Sequence, residues 1–191
     1  MVALEMSEER KRVHPHKFTL WIAIASIVMM FAGLTSAYIV KRSQTNWLEF
    51  EMPPAFMVST ALVVLSSITI HLATKWFKAR RTREYRRFIL LTAVLGTAFM
   101  VLQFIGFNFL LNGGVKLVGS GSNPAASFLL VIVGLHLLHM LGGVVALGII
   151  LYRTFNTKVK NYSSTPIEMA ATYWHFVDAL WIYLFVFLMW L

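Results

Sequence analysis

The sequence contains no cysteine, and this absence removes several kinds of chemistry at once. A chain without cysteine forms no disulfide, holds no iron–sulfur cluster or thiolate copper centre through its own side chains, and offers no thiol nucleophile. Acidic residues are also scarce, with 8 Asp and Glu against 17 Lys and Arg and a formal net charge of +9. The basic residues stand in short breaks between long apolar runs, which argues against nucleic acid as a partner.

Apolar residues dominate, at 58% of the chain, and the mean hydropathy is +0.70. A membrane span needs roughly 20 apolar residues and must be helical, because lipid offers the backbone no hydrogen-bond partner. Five segments qualify, at about residues 18–40, 55–73, 88–111, 125–151 and 167–191. Prolines at 53–54, 124 and 166 mark three of the starts. The sequence therefore predicts an all-α, polytopic membrane protein with a single five-helix domain over residues 18–191.

Residues 1–17 are polar and precede an apolar stretch of about 23 residues, too long for the core of a signal peptide. We interpret this stretch as a retained first span. Lys and Arg number fourteen before the first span and in the two loops on the same side, against three in the alternate loops. The positive-inside rule then places the N-terminus in the cytoplasm and the C-terminus outside. The basic run of residues 75–87 is interpreted as a loop that touches anionic lipid headgroups.

Ionisable side chains at membrane depth are expensive, so each is a candidate for function or packing. In the fifth span Glu168, His175 and Asp178 lie within an arc of roughly 80°, as one polar stripe. The stripe fits either a proton relay or, as we favour, a hydrogen-bonded network that locks the helix to its neighbours. We expect Asp178 to interact with His175, and the network to reach His136 or His139. A metal site of His175, Asp178 and one of these histidines is a weaker alternative, because nothing fixes the ligands in register.

His136 and His139 share a face of the fourth span with Gly142 and Gly143. Small residues allow close helix approach, so this face is interpreted as a helix–helix seam with two polar side chains. Haem ligation is the alternative, since His71 in the second span and His175 in the fifth add histidines on other helices. Five tryptophans lie near predicted span ends or in loops, namely Trp21, Trp47, Trp76, Trp181 and Trp190, and most of these are interpreted as interfacial anchors.

The string at residues 173–181, which includes Trp174, reads YWHFVDALW. It resembles the signature of subunit III of the haem-copper cytochrome c and quinol oxidases. The resemblance continues through GLHLLHMLGGVVAL at residues 134–147, STALVVLSSITIHLA at 59–73, LLTAVLGTAFMVLQ at 90–103 and LWIAIASIVMMFAGLTSAYIVKR at 20–42. These segments cover nearly the whole chain beyond residue 17.

Two departures from the family pattern bear on function. Many members have seven helices, with the first pair splayed from the rest around a lipid-filled cleft, whereas this chain has room for five. The position after Ser26, often acidic in the family, is Ile27. Lipid sites built from the missing pair and any role of that carboxylate are therefore not transferred to this chain.

The resemblance implies a cofactor-free, non-catalytic subunit of a proton-translocating oxidoreductase in the aerobic respiratory chain. Its expected partners are catalytic subunit I, which would hold the haem and copper, further oxidase or supercomplex subunits, and phospholipids. The expected location is a prokaryotic cytoplasmic membrane. Alternatives are a five-helix homologue associated with nitric oxide reductase, an independent b-type membrane cytochrome and a proton-coupled transporter. The last is disfavoured because the chain shows no inverted halves.

Overall fold

The protein is all-α in the computed structural model, which describes residues 15–43, 47, 52–119, 121–156 and 164–190. The described residues form five helices, which are α1 Pro15–Arg42, α2 Pro54–Lys78, α3 Thr82–Asn112, α4 Pro124–Asn156 and α5 Thr165–Trp190. Each has the length and the apolar composition needed to cross a membrane. The predicted fold class and the five spans are confirmed. Of the polar segment predicted for residues 1–17, all but the last three residues lie outside the described part of the chain.

Proline marks the helix starts that the sequence predicts. Helix α2 begins at Pro54 and α4 at Pro124, while Pro166 is the second residue of α5. The first N–H groups of a helix have no partner inside it, so proline loses nothing at these positions and its fixed φ favours the first turn.

The basic loop predicted for residues 75–87 is shorter than expected, because α2 and α3 extend into it from both sides. Only the residues 79–81 separate the helices, and Arg80 adopts the left-handed conformation there, with φ of 58°. Hydropathy detects the part of a helix inside hydrocarbon, whereas Lys and Arg are good helix formers that continue it into the headgroup region. Arg86 is also held by protein, since its guanidinium donates to the Thr154 carbonyl over 2.8 Å and lies over the Phe155 ring.

The helices form one bundle in which α2 and α3 make the most extensive contact, as a tight antiparallel hairpin. Helix α5 packs against α2 and α4, and α4 also packs against α3. Helix α1 covers part of α4 and α5 at the side of this group. Large apolar side chains cover much of the outer surface, as expected for a protein surrounded by lipid.

Close packing at the centre of the bundle depends on two glycines that face Trp174. A Cβ atom at Gly96 of α3 would lie 2.7 Å from the indole, and one at Gly143 of α4 would lie 3.2 Å from it. Trp174 is 1% exposed. The glycines therefore let α3 and α4 approach a fully buried tryptophan of α5, which agrees with the small-residue seam predicted on α4.

Trp181 is not an interfacial anchor, contrary to the sequence interpretation. It is fully buried, and its ring centre lies 4.9 Å from that of Phe99. Its indole N–H donates to Thr60 Oγ1 over 3.0 Å. The interpretation failed because α5 continues to Trp190, so Trp181 lies about 13 Å inside the helix end.

An aromatic cluster attaches the C-terminal half of α1 to the bundle. The Tyr38 ring lies 4.8 Å from Trp47, 5.3 Å from Phe187 of α5 and 6.0 Å from Phe128 of α4, all in edge-to-face geometry. Such pairs add to the stabilisation that burial alone provides. This end of the bundle lies opposite the basic end, where α1 and α5 begin and α2 ends.

Candidate functional site

The most polar part of the buried core lies at the seam between α2 and α5, on the YWHFVDALW segment of α5. Asp178, the only aspartate of the sequence, is 2% exposed. Its Oδ2 lies at hydrogen-bond distance from Ser66 Oγ, 3.2 Å away. Ser66 also accepts the indole N–H of Trp174 over 3.0 Å. One serine of α2 therefore binds both the buried carboxyl group and the buried tryptophan of α5. The hydrogen bond to the carboxyl group offsets part of the free-energy cost of burying it.

His175 joins the same seam through the neighbouring serine. Its Nδ1 lies 2.6 Å from Ser67 Oγ. Asp178 and His175 thus bind the adjacent serines Ser66 and Ser67 of α2, rather than each other as the sequence predicted. A residue three positions along a helix shares a face, but α2 packs into that face and its hydroxyl groups bind both side chains.

Glu168 lies apart from this network, at the basic end of the bundle. Its carboxylate oxygens contact Lys17 of α1 at 3.2 Å and Lys78 of α2 at 3.1 Å. The side chain of Glu168 is 26% exposed. The polar stripe predicted along α5 is therefore divided. Glu168 connects the ends of α1, α2 and α5 near the surface, whereas His175 and Asp178 lie deeper in the bundle.

The two histidines of α4 do not take part in the seam of Asp178 and His175, contrary to the network predicted from the sequence. His136 is fully buried between aromatic rings, with ring centres 5.0 Å from Trp181 and 5.7 Å from Phe99. The Nδ1 of His139 lies 2.7 Å from the Leu135 carbonyl of its own helix. A haem bound by His136 would have to displace one of the packed rings, so this geometry favours the packing interpretation.

His71 lies next to the α2–α5 seam, on an exposed part of α2. Its ring centre is 6.3 Å from that of His175. Both rings line a cavity of about 420 Å³ between α1, α2 and α5, which Lys17 and Glu168 also line. Of the residues that the sequence singled out, the structure thus brings together His71, His175, Asp178 and Trp174.

Sequence reasoning missed the hydroxyl groups of α2, which supply most of the partners. Ser59 accepts from the Gln103 amide over 2.8 Å, and Thr69 lies 2.8 Å from Thr92, its hydroxyl partner on α3. With Ser66 they form a row along α2 in which Ser59 and Ser66 are seven residues apart, the repeat expected of one helix face. That spacing in STALVVLSSIT was the available signal. In the part of the chain that the structure describes, no three His, Asp or Glu side chains converge as a metal site would require.

Comparison with known protein families identifies the family of this chain. The sequence profile of the family described as cytochrome c oxidase subunit III matches residues 13–191, nearly the whole chain. The chain belongs to this family. The resemblance predicted from the YWHFVDALW segment is confirmed, and the segment proves to be the one that carries the buried seam.

Family members from several bacteria are similar along most of their length. A probable cytochrome c oxidase subunit 3 of Nocardia farcinica is 33% identical over 172 residues, covering 86% of this chain and 82% of the relative. Cytochrome c oxidase subunit 3 of Bacillus sp. PS3 is 28% identical, with 86% and 80% covered. Cytochrome bo(3) ubiquinol oxidase subunit 3 of Buchnera aphidicola is 28% identical, with 89% and 90% covered. As a subunit III of a haem-copper oxidase, the chain is an integral membrane protein with partner subunits.

Proposed function

We propose that the protein is a cofactor-free accessory subunit of an oxygen-reducing haem-copper oxidase, which stabilises the catalytic subunit, holds phospholipid and sustains proton uptake. The observation that carries this proposal is the use of the intramembrane polar side chains. Asp178, His175 and Trp174 are engaged with serines of a neighbouring helix, an arrangement suited to rigid packing. Relatives named for cytochrome c oxidase and for ubiquinol oxidase both support it, so the proposal covers both electron donors.

The location of the protein follows from its relatives and from its charges. The similar proteins are bacterial, which supports the cytoplasmic membrane as the location. The excess of Lys and Arg at the end where α1 begins supports a cytoplasmic N-terminus. We expect a reporter inserted at Arg80, in the turn between α2 and α3, to lie in the cytoplasm and one fused after Leu191 to lie outside. A cytoplasmic signal from the second fusion contradicts this orientation.

A groove between α1, α4 and α5 supports the proposed role in holding phospholipid. It measures about 660 Å³, and its walls are mostly apolar, with Gly142, Gly143 and Ala146 among the residues that line it. Tyr173 lines it as well, and the Tyr173 hydroxyl donates to the His139 carbonyl over 3.0 Å. An acyl chain fits such walls because most of the contact that they offer is apolar, and the Tyr173 hydroxyl is already hydrogen-bonded within the protein.

Deletion of the subunit tests the proposed function most directly. The purified oxidase is expected to retain the spectrum of its haems and its copper, while its activity decays during turnover or its proton uptake slows. Complete loss of the haem spectrum at once would assign the chain a role in assembly instead. Mass spectrometry of the intact complex names the catalytic subunit, and a nitric oxide reductase in that place contradicts the proposal. A Soret band in the isolated subunit would favour the b-type cytochrome.

A further inference from the structure

The hydroxyl group of Ser66 makes three hydrogen-bond contacts at once. Its Oγ lies 2.9 Å from the Val63 carbonyl oxygen of the same helix, 3.0 Å from the Trp174 indole nitrogen and 3.2 Å from Asp178 Oδ2. The side chains of Ser66, Trp174 and Asp178 are all buried, away from bulk water. Buried polar groups are hydrogen-bonded almost without exception, so each of the three contacts is expected to hold a proton.

The number of available protons shows which groups donate. A hydroxyl group carries one proton and accepts two hydrogen bonds, a backbone carbonyl only accepts, and an indole N–H only donates. The Trp174 indole supplies the proton of its own contact, and the Ser66 hydroxyl supplies one more. Three contacts need three protons, so the third has to come from the carboxyl group of Asp178.

An ionised Asp178 would leave the three contacts with two protons. The single Ser66 proton would then be shared between two acceptors, the Val63 carbonyl at 2.9 Å and Oδ2 at 3.2 Å. With a neutral carboxylic acid, Ser66 donates to the nearer carbonyl and accepts from both Trp174 and Asp178. This arrangement uses the full hydrogen-bonding capacity of the hydroxyl group.

The surroundings of the carboxyl group also favour the neutral acid. Within the described residues Oδ1 has no hydrogen-bond partner, and no Lys or Arg side chain forms an ion pair with Asp178. Burial costs a carboxylate far more free energy than a neutral acid when no cation accompanies it. The unbound Oδ1 is less costly as the carbonyl oxygen of an acid than as one oxygen of a carboxylate, because it carries less charge.

We propose that Asp178 is a proton-binding site in the membrane interior, held as a neutral carboxylic acid whose Oδ2–H group donates to Ser66. The ligand is a single proton, and Ser66 positions it, since the Trp174 indole and the Val63 carbonyl fix the serine from two other directions. The inference is independent of the proposed role in proton uptake, because it follows from the hydrogen-bond geometry of this chain.

Other titratable groups on the helices around Asp178 are bound elsewhere. Lys17 of α1 and Lys78 of α2 contact Glu168 at the basic end of the bundle. Within the described residues none of the intramembrane histidines hydrogen-bonds to Asp178, namely His71 of α2, His136 and His139 of α4 and His175 of α5. The proton is therefore assigned to the carboxyl group alone and not to a shared pair.

Infrared spectroscopy of the intact oxidase complex tests the protonation of Asp178. Other subunits add carboxyl groups, so the spectrum of the Asp178→Asn complex is subtracted from that of the wild type. At neutral pH, where a solvent-exposed aspartate is ionised, we expect the difference to show a carboxylic acid C=O band that shifts in D₂O. Carboxylate bands in its place overturn the proposal. Asp178→Glu, which moves the band instead of removing it, serves if the first variant does not assemble.

Ser66→Ala tests the partner of the proton, because it removes the proposed acceptor. The C=O band is expected to shift to higher frequency, as it does when a carboxylic acid loses a hydrogen bond. Ser59→Ala is the matched control, since Ser59 is a buried serine of α2 that binds Gln103 and should leave the band in place. A band that is unchanged in Ser66→Ala, or that shifts equally in both variants, overturns the assignment of Ser66 as the acceptor.

Discussion

The two acidic residues of α5 differ in their burial and in the chemistry of the side chains that bind them. Asp178 is buried and bound by the neutral hydroxyl group of Ser66, whereas Glu168, 26% exposed, is bound by two lysines at the basic end. An ionised aspartate at the centre of a span costs about 2.5–3.5 kcal/mol on insertion scales, and the penalty falls toward the helix ends. Both residues connect α5 to α2, but only the buried one is expected to contribute strongly to packing. The following predictions test this contrast from its largest expected effect to its smallest.

Replacing Trp174 with Ala should have the largest effect. The indole is 1% exposed and lies between two glycines, so its loss leaves a cavity and removes the hydrogen bond to Ser66. We expect a loss of about 3–5 kcal/mol in the free energy of unfolding in detergent micelles. Trp190→Ala is the control, because that side chain is 86% exposed on the same helix. Equal destabilisation by the two variants contradicts the packing described at the centre.

Gly96→Ala should be the next most harmful change. The added methyl group would lie 2.7 Å from the Trp174 indole, which has no room to retreat, and overpacking of this kind costs about 1–3 kcal/mol. Gly134→Ala is the matched control on α4, since nothing lies within 4 Å of the new methyl group. There we expect no loss, or a gain of about 0.5–1 kcal/mol, from the better helix former. Thermal unfolding of both variants would distinguish these outcomes.

Asp178→Leu should be tolerated less well than Asp178→Asn. The amide of Asn retains a hydrogen bond to Ser66, whereas Leu leaves that buried hydroxyl group with fewer partners, at a cost of about 1–3 kcal/mol. The measurement is the fraction of subunit that stays with the complex through detergent purification. Wild-type retention of both variants would falsify the locking role of this carboxyl group.

Glu168→Gln should have the smallest effect. Ion pairs that are partly open to solvent are worth about 0–1 kcal/mol, and salt screens them further. We expect a small decrease in the unfolding temperature at low ionic strength that vanishes at high ionic strength. A decrease as large as that of Asp178→Leu, and independent of salt, would place Glu168 among the core residues and remove the contrast.

Much of the fold follows from the order of residues alone. Hydropathy located five spans, and the prolines before the second, fourth and fifth marked their starts to within a residue or two. Hydropathy missed the helical ends beyond the hydrocarbon, where basic residues extend α2 and α3 to a turn at 79–81. The YWHFVDALW segment predicted the family, which the match over residues 13–191 confirms.

The partners within the bundle were decided only by tertiary structure. Helical periodicity correctly placed His175 and Asp178 on one face of α5, but it does not state which helix covers that face or at what height. In the folded bundle α2 supplies Ser66 and Ser67 there, while His136 packs one turn away against Trp181. Contacts between helices depend on the rotation of each helix about its axis and on its shift along its neighbour. Many small packing interactions across the whole bundle determine that rotation and that shift together.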